Sequence, residues 1–187
     1  MFRPALFLTL TMTALSIFSA ESTADAALEI GGTPAEWELS SWINSKPVAL
    51  KELRGKVVLI RFWTAPGCSY CRVTALALNA FFEQYHKAGL EVVGIYHHKS
   101  PQPLTEDQVK LHAADFGFKF PVAIDADWRT LKRWWLVGDT KDKWTSVSFL
   151  LDRKGIVRHI HPGGQYVKGD GAYEELEKKI VELLKQE

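Results

Sequence analysis

Two cysteines, Cys68 and Cys71, are all the sulfur nucleophiles this 187-residue chain holds. Two thiols are too few for a disulfide scaffold or a four-thiolate zinc site, but they suffice for one redox pair. Their setting matters more than their spacing. Cys68-Ser69-Tyr70-Cys71 falls between a run that reads as a buried strand and a stretch with helical apolar spacing. A cysteine at a helix start meets unpaired backbone N–H groups and the positive end of the helix dipole, both of which favour an anion. A thiolate at Cys68 is thereby stabilised, as a nucleophilic sulfur near neutral pH requires. Three residues on, Cys71 lies one helical turn away on the same side, within reach of a mixed disulfide formed at Cys68. Arg72 adds positive potential, and Pro66 and Gly67 keep the approach to Cys68 narrow, with Ser69 and Tyr70 beside it.

The elements that must position this pair follow from periodicity. Lys56 to Trp63 (KVVLIRFW) is a near-continuous β-branched and aromatic run, the pattern of a central strand covered on both faces. Val73, Leu76, Ala77, Ala80, Phe81 and Tyr85 then recur at helical spacing, closed by Gly89. Leu90 to Tyr96 reads as a second strand. Thr105 and Gln108 open a helix running to about Phe116. A short strand at Phe120–Ile124 and a short helix at Trp128–Trp135 follow. Thr145–Leu151 and Ile156–Ile160 form a hairpin around Asp152-Arg153-Lys154-Gly155, and an amphipathic helix after Gly171 ends the chain. Asn44 to Pro47 suggests a β-hairpin in an N-terminal extension. Strand, helix and strand at these spacings demand a right-handed parallel crossover. The fold class expected is α/β, a mixed central sheet with helices on both faces.

Composition narrows the function. The chain is 47% hydrophobic and 24% charged, with 23 basic against 22 acidic residues, an ordinary globular balance. A formal charge of +1 gives no basic stripe for nucleic acid. No repeat or long linker interrupts a single domain, placed at residues 27–187. Before it, Arg3, an apolar run from Ala5 to Phe18 and the Ala24-Asp25-Ala26 pattern read as a signal peptide, residues 1–26, cut after Ala26. A membrane-spanning helix needs about 20 apolar residues, more than this run offers, so an exported and periplasmic protein is expected. Disulfides persist in such a compartment.

The stretch GKVVLIRFWTAPGCSYCR, Gly55 to Arg72, resembles the TlpA-like or redoxin branch of exported thioredoxin-fold proteins. Pro47–Gly55, Phe116–Asp127 and Ser148–Arg158 extend the likeness over nearly the whole mature chain. The resemblance implies a thioredoxin-like fold and a thiol–disulfide oxidoreductase. Its Cys68 attacks and its Cys71 resolves, with no cofactor beyond that pair and no resident metal. It implies protein thiol or disulfide substrates and an electron donor in the membrane. It also places Ser146 and Val147, before the late strand, in the substrate groove. Four positions depart from the pattern: Gly67 replaces a tryptophan, Arg61 a buried Asp or Asn, Thr74 a Glu, and Ser146 a cis-proline. A cis peptide is essentially a proline feature, so a trans bond is expected at Ser146. Together these departures favour a narrower activity than that of a general thioredoxin.

Two rival chemistries share the scaffold. Copper delivery of the Sco type would recruit His97, His98, His159 or His161, but Asp139 to Thr145 lacks the histidine that those proteins carry before the late strand. A peroxiredoxin-like peroxidase would need a Pro-x-x-x-Thr-x-x-Cys pattern; Thr64 stands one position too early and no proline precedes it correctly. His97 and His98 read as exposed strand ends, and Lys141-Asp142-Lys143 as a solvated loop. Trp63 reads as core, and Trp134 and Trp135 as candidates to border the thiols.

Overall fold

A computed structural model describes residues 26–186; all but the last residue of the expected signal peptide lie outside the described residues. Six strands form one mixed sheet: β1 Ser41–Ile43, β2 Val57–Trp63, β3 Leu90–Tyr96, β4 Val122–Ile124, β5 Ser148–Leu151 and β6 Val157–His161. Their order is β1-β4-β3-β2-β5-β6. β2, β3 and β4 run parallel, while β5, β6 and β1 are antiparallel to their neighbours. The helices are α1 Ser69–Tyr85, α2 Glu106–Asp115, α3 Arg129–Trp134 and α4 Gly171–Leu184.

The apolar run of β2 is buried at all seven positions, and side chains of a strand alternate between its faces. Val57, Leu59 and Trp63 join the core built with α1, α2 and α4. Val58, Ile60 and Phe62 join a second core that holds Leu131 and Trp134 of α3 and Trp37 of the N-terminal segment. Helices therefore cover both faces, as the alternation of strand and helix in the sequence requires. Gly94 in β3 makes room for the large ring at the end of β2: a Cβ there would come within 3.1 Å of Trp63 Nε1 and 3.3 Å of Phe120.

Side-chain caps set the helix starts. Thr105 Oγ1 accepts from the Gln108 N–H at 3.3 Å and opens α2. Asp170 accepts from the Val167 N–H at 2.8 Å and from that of Tyr173 at 2.7 Å and opens α4. Asp125 accepts from the Thr130 and Leu131 N–H groups at 3.3 and 2.8 Å and so holds α3. In the β5–β6 turn, Asp152 Oδ1 accepts from the Lys154 and Ile156 N–H groups, both at 2.9 Å.

The expected N-terminal hairpin is not formed. One strand, β1, is present, and its partner is β4, more than seventy residues further along the chain. Asn44 adopts a left-handed backbone with φ 65° and donates its side-chain amide to the Phe118 and Phe120 carbonyls. Pro47 brings no N–H to a ladder, and a 3-10 turn, Leu50–Leu53, follows instead of a return strand.

Candidate active site

The end of β2 and the start of α1 converge on the two cysteines. Cys68 is the residue before the first turn of α1, with extended backbone, and its Sγ accepts from the Cys71 N–H at 3.1 Å. The sulfur is thus the cap of the helix and satisfies a donor that the helix itself cannot. Cys68 and Cys71 are joined as a disulfide with Cα atoms 5.2 Å apart. They differ in access: Cys68 is half-buried, whereas Cys71 is only 2% exposed and sits in the larger core.

Two depressions meet at Cys68. One, of about 710 Å³, runs between the start of α1 and the loop before β5. The other, of about 480 Å³, lies on the opposite side against Arg72, Asp115 and Phe116. Pro66, Gly67, Ser69, Tyr70 and Ser146 of the expected groove all line the first. Val147 does not; it is fully buried, and its carbonyl accepts from the Phe62 N–H at 3.0 Å. Among the described residues the one cis peptide is Ala65–Pro66, so the bond before Ser146 is trans as expected.

Arg72 spends its charge locally. It pairs with Asp115 at 2.6 Å, both side chains more than half exposed, and lies 5.2 Å from the Phe116 ring centroid. The larger core contains a different cation. Arg61, fully buried on β2, donates to the Gly164 carbonyl at 2.7 Å and to Ser148 Oγ at 3.2 Å, and stands 5.4 Å from the Tyr166 ring centroid. Burial pushes its pKa down, partly countered by Tyr166. Among its polar contacts no carboxylate balances it. His161, at the end of β6, is held down to about 4 by burial first and then by the Arg61 charge.

The histidines of the sequence do not converge on the sulfurs. His97 is not an exposed strand end: it is fully buried, its Nε2 2.9 Å from Thr145 Oγ1. Strand β3 ends under Trp128, whose ring packs edge-on against the imidazole at 5.1 Å. His98 contacts the Tyr96 hydroxyl at 3.0 Å, and His159 faces Glu175. Among the described residues no three His, Cys, Asp or Glu side chains gather as a ligand set. Trp63 is core as expected, and so is Trp134; Trp135 reaches the site indirectly, its indole N–H donating to the Trp144 carbonyl at 2.8 Å.

Sequence reasoning missed Lys99, Lys141, Lys143 and Trp144, all of which line the larger depression. A signal for three of them was present: the loop that carries Ser146 into the groove must carry the residues just before it as well.

The model of the AhpC/TSA family matches residues 30–160. The chain belongs to the AhpC/TSA family. Within that family setting, it is 30% identical over 167 residues to protein DipZ of Mycobacterium bovis, covering 87% of this chain and 22% of DipZ. The chain thus spans about a fifth of the DipZ length. It is 24% identical over 168 residues to the thiol-disulfide oxidoreductase ResA of Bacillus thuringiensis subsp. konkukian, covering 90% of this chain and 86% of ResA. Among solved structures, a thiol:disulfide interchange protein DsbE from Chlorobium tepidum superposes with TM-score 0.67 and 25% identity, over 84% of this chain and 99% of that one. A thioredoxin-like superfamily protein, SPOA0173, gives the same TM-score at 22% identity, over 83% of this chain and 97% of that one. The fold of this AhpC/TSA member is thioredoxin-like, as expected.

Proposed function

We propose that this chain exchanges its Cys68–Cys71 disulfide with the thiols and disulfides of protein partners, with Cys68 as the attacking sulfur and Cys71 as the resolving one. The observation that carries the reading is the unequal access of the two sulfurs at a helix start. An outside thiol meets half-buried Cys68; Cys71, at 2% exposure, can be reached only by its neighbour.

Starting from the dithiol, the Cys68 thiolate attacks one sulfur of a partner disulfide and expels the other as a thiolate. A mixed disulfide links Cys68 to the partner. Cys71 gives up its proton and attacks Cys68 Sγ, and the second partner sulfur leaves as a thiolate. Two electrons have passed to the partner, the one proton given up by Cys71 is available to one of the two partner thiolates while solvent protonates the other, and the Cys68–Cys71 bond has formed. The reverse sequence oxidises a partner dithiol. Which direction runs depends on the relative potentials, where about 30 mV corresponds to about 1.4 kcal/mol. The capping N–H of Cys71 at Cys68 Sγ favours the thiolate and hence the reduced state.

Export is part of the proposal. Arg3, the apolar run and the Ala24-Asp25-Ala26 pattern support it, and no described helix is long and apolar enough to cross a membrane.

The test is a pair of variants. Cys68→Ser abolishes exchange, while Cys71→Ser accumulates a mixed disulfide with the partner, seen by non-reducing electrophoresis and mass spectrometry. Peroxide consumption that survives Cys71→Ser in a single turnover would replace this reading with a peroxidase. Stoichiometric copper on the purified protein would replace it with metal delivery.

A further inference from the structure

The depression beside Cys68 has a chemical character that disulfide exchange alone does not demand. Three lysines, Lys99, Lys141 and Lys143, stand on its wall against one aspartate, Asp142. Lys143 is anchored, its Nζ donating to the Trp135 and Val137 carbonyls at 2.8 and 3.2 Å. Lys99 and Lys141 are exposed; Lys99 Nζ lies 5.9 Å from the Trp128 ring centroid, a contact that leaves its N–H donors able to meet an anion. Tyr70 and Trp144 flank the opening, their rings edge to face at 5.4 Å, and both remain substantially exposed, at 41% and 53%. Trp144 is nonetheless fixed. Its carbonyl accepts the Trp135 indole N–H, and its Cβ occupies the space that a Cβ on Gly163 would need. Exposed aromatics held by a rigid backbone are characteristic anchors of protein recognition. The depression on the other side of Cys68 lacks this charge, because Arg72 and Asp115 neutralise each other.

We propose that the Lys99–Lys141–Trp144 depression is a subsite for an acidic segment of the partner protein, lying on one side of the partner cysteine that pairs with Cys68. The proposal rests on the disulfide-exchange reading and adds the substrate class. Carboxylates on that flank meet Lys99 and Lys141, an apolar or aromatic residue next to the cysteine packs on Tyr70 and Trp144, and the other flank of the partner is read without charge preference.

The experiment uses the full chain in its reduced form and three peptides, each with one cysteine blocked as a methyl disulfide. The first has two aspartates before the cysteine, the second has two after it, and the third has asparagines at all four positions. Because Cys71 resolves the mixed disulfide, the reaction is stopped with acid and loss of the peptide disulfide is followed by mass spectrometry. One aspartate peptide reacts roughly 2- to 30-fold faster than the asparagine peptide at low salt, as two exposed ion pairs allow. The advantage shrinks as salt rises. It is lost or reversed in the double variant Lys99→Glu, Lys141→Glu, whose carboxylates repel the aspartates, and persists in Lys178→Glu, which changes charge on α4 outside the depression.

Equal rates for all three peptides would overturn the subsite while leaving exchange intact, as would a preference that survives the double variant. Oxidised glutathione losing as much rate as the aspartate peptide in the double variant would make the site one for a small anionic disulfide instead. Failure of every peptide to react would remove the exchange reading, and the subsite with it.

Discussion

Acidification should destabilise the oxidised protein through His97, a residue that touches neither sulfur. Its ring is fully buried; Nε2 meets Thr145 Oγ1 at 2.9 Å and Nδ1 is buried with no partner. Protonation would place a second N–H and a full charge in that pocket, with Lys99 and Arg61 as the nearby like charges. Burial first, then those two cations, hold the His97 pKa down to about 3. The unfolded chain takes up a proton near the ordinary value of about 6.5. The folded value is the lower one, so stability is complete above about pH 6.5 and is lost progressively as pH falls toward the folded pKa. Linkage at about 1.4 kcal/mol per pH unit gives a loss of about 2 kcal/mol between pH 7.5 and pH 5. With urea slopes of about 1–3 kcal/mol/M, the midpoint falls by roughly 1 M. The assay is urea unfolding of the oxidised protein at both pH values, beside His97→Gln, which can still bond Thr145 but cannot titrate. His161 adds loss in the same direction, but it is present in both proteins and drops out of the difference. If the two proteins lose the same stability on acidification, His97 is not the buried neutral group described here.

Three further outcomes are expected. Gly163→Ala forces a Cβ to 2.1 Å from Trp144 Cβ at a φ of 134°, which should cost about 1–3 kcal/mol and lower the preference for acidic peptides; thermal unfolding and the peptide assay read both. Asp125→Ala strips α3 of the acceptor for the Thr130 and Leu131 N–H groups and should cost about 1–3 kcal/mol in urea unfolding. Arg61→Met removes a buried cation from the core that holds Cys71 and should make the Cys68–Cys71 couple more reducing, because the cation favours the anionic reduced form; equilibration in glutathione buffers measures the shift, and an unchanged or higher potential would contradict it.

The sequence carried most of the scaffold because its strongest signals are local. The β2 run, the Thr105 cap and the position of Cys68 at a helix start depend on neighbours within one or two turns. What it hid depends on distant partners. Nothing near Ser41–Ile43 announces β4 as its neighbour, and Asn44 is committed to carbonyls at Phe118 and Phe120 that only the folded chain brings near. His97 looked like a strand end, yet Trp128 and Thr145 close over it. Lys141 and Asp142 are solvent-exposed as expected, but nothing local shows that their loop lines the depression beside Cys68, where Trp144 packed on Gly163 and Lys143 bonded to two carbonyls hold it.

The same contacts bear on how the resolving thiol loses its proton. Among the described residues, the buried carboxylates are Asp125 and Asp152, and both are committed elsewhere. Asp125 holds the start of α3; Asp152 holds the β5–β6 turn and Arg158, at 2.7 Å from its Nε. Polar groups in the core with Cys71 include Arg61, Ser148 and Tyr166, tied to one another, and Thr74, Tyr96 and Tyr173. None is a carboxylate that could take up a proton from Cys71. With the buried carboxylates committed elsewhere, the proton of Cys71 is left to solvent or to the partner thiolate expelled at Cys68, whose proton affinity is matched to that of another thiol. A cation in the core and lysines along the mouth both favour the anions that this sequence of steps creates.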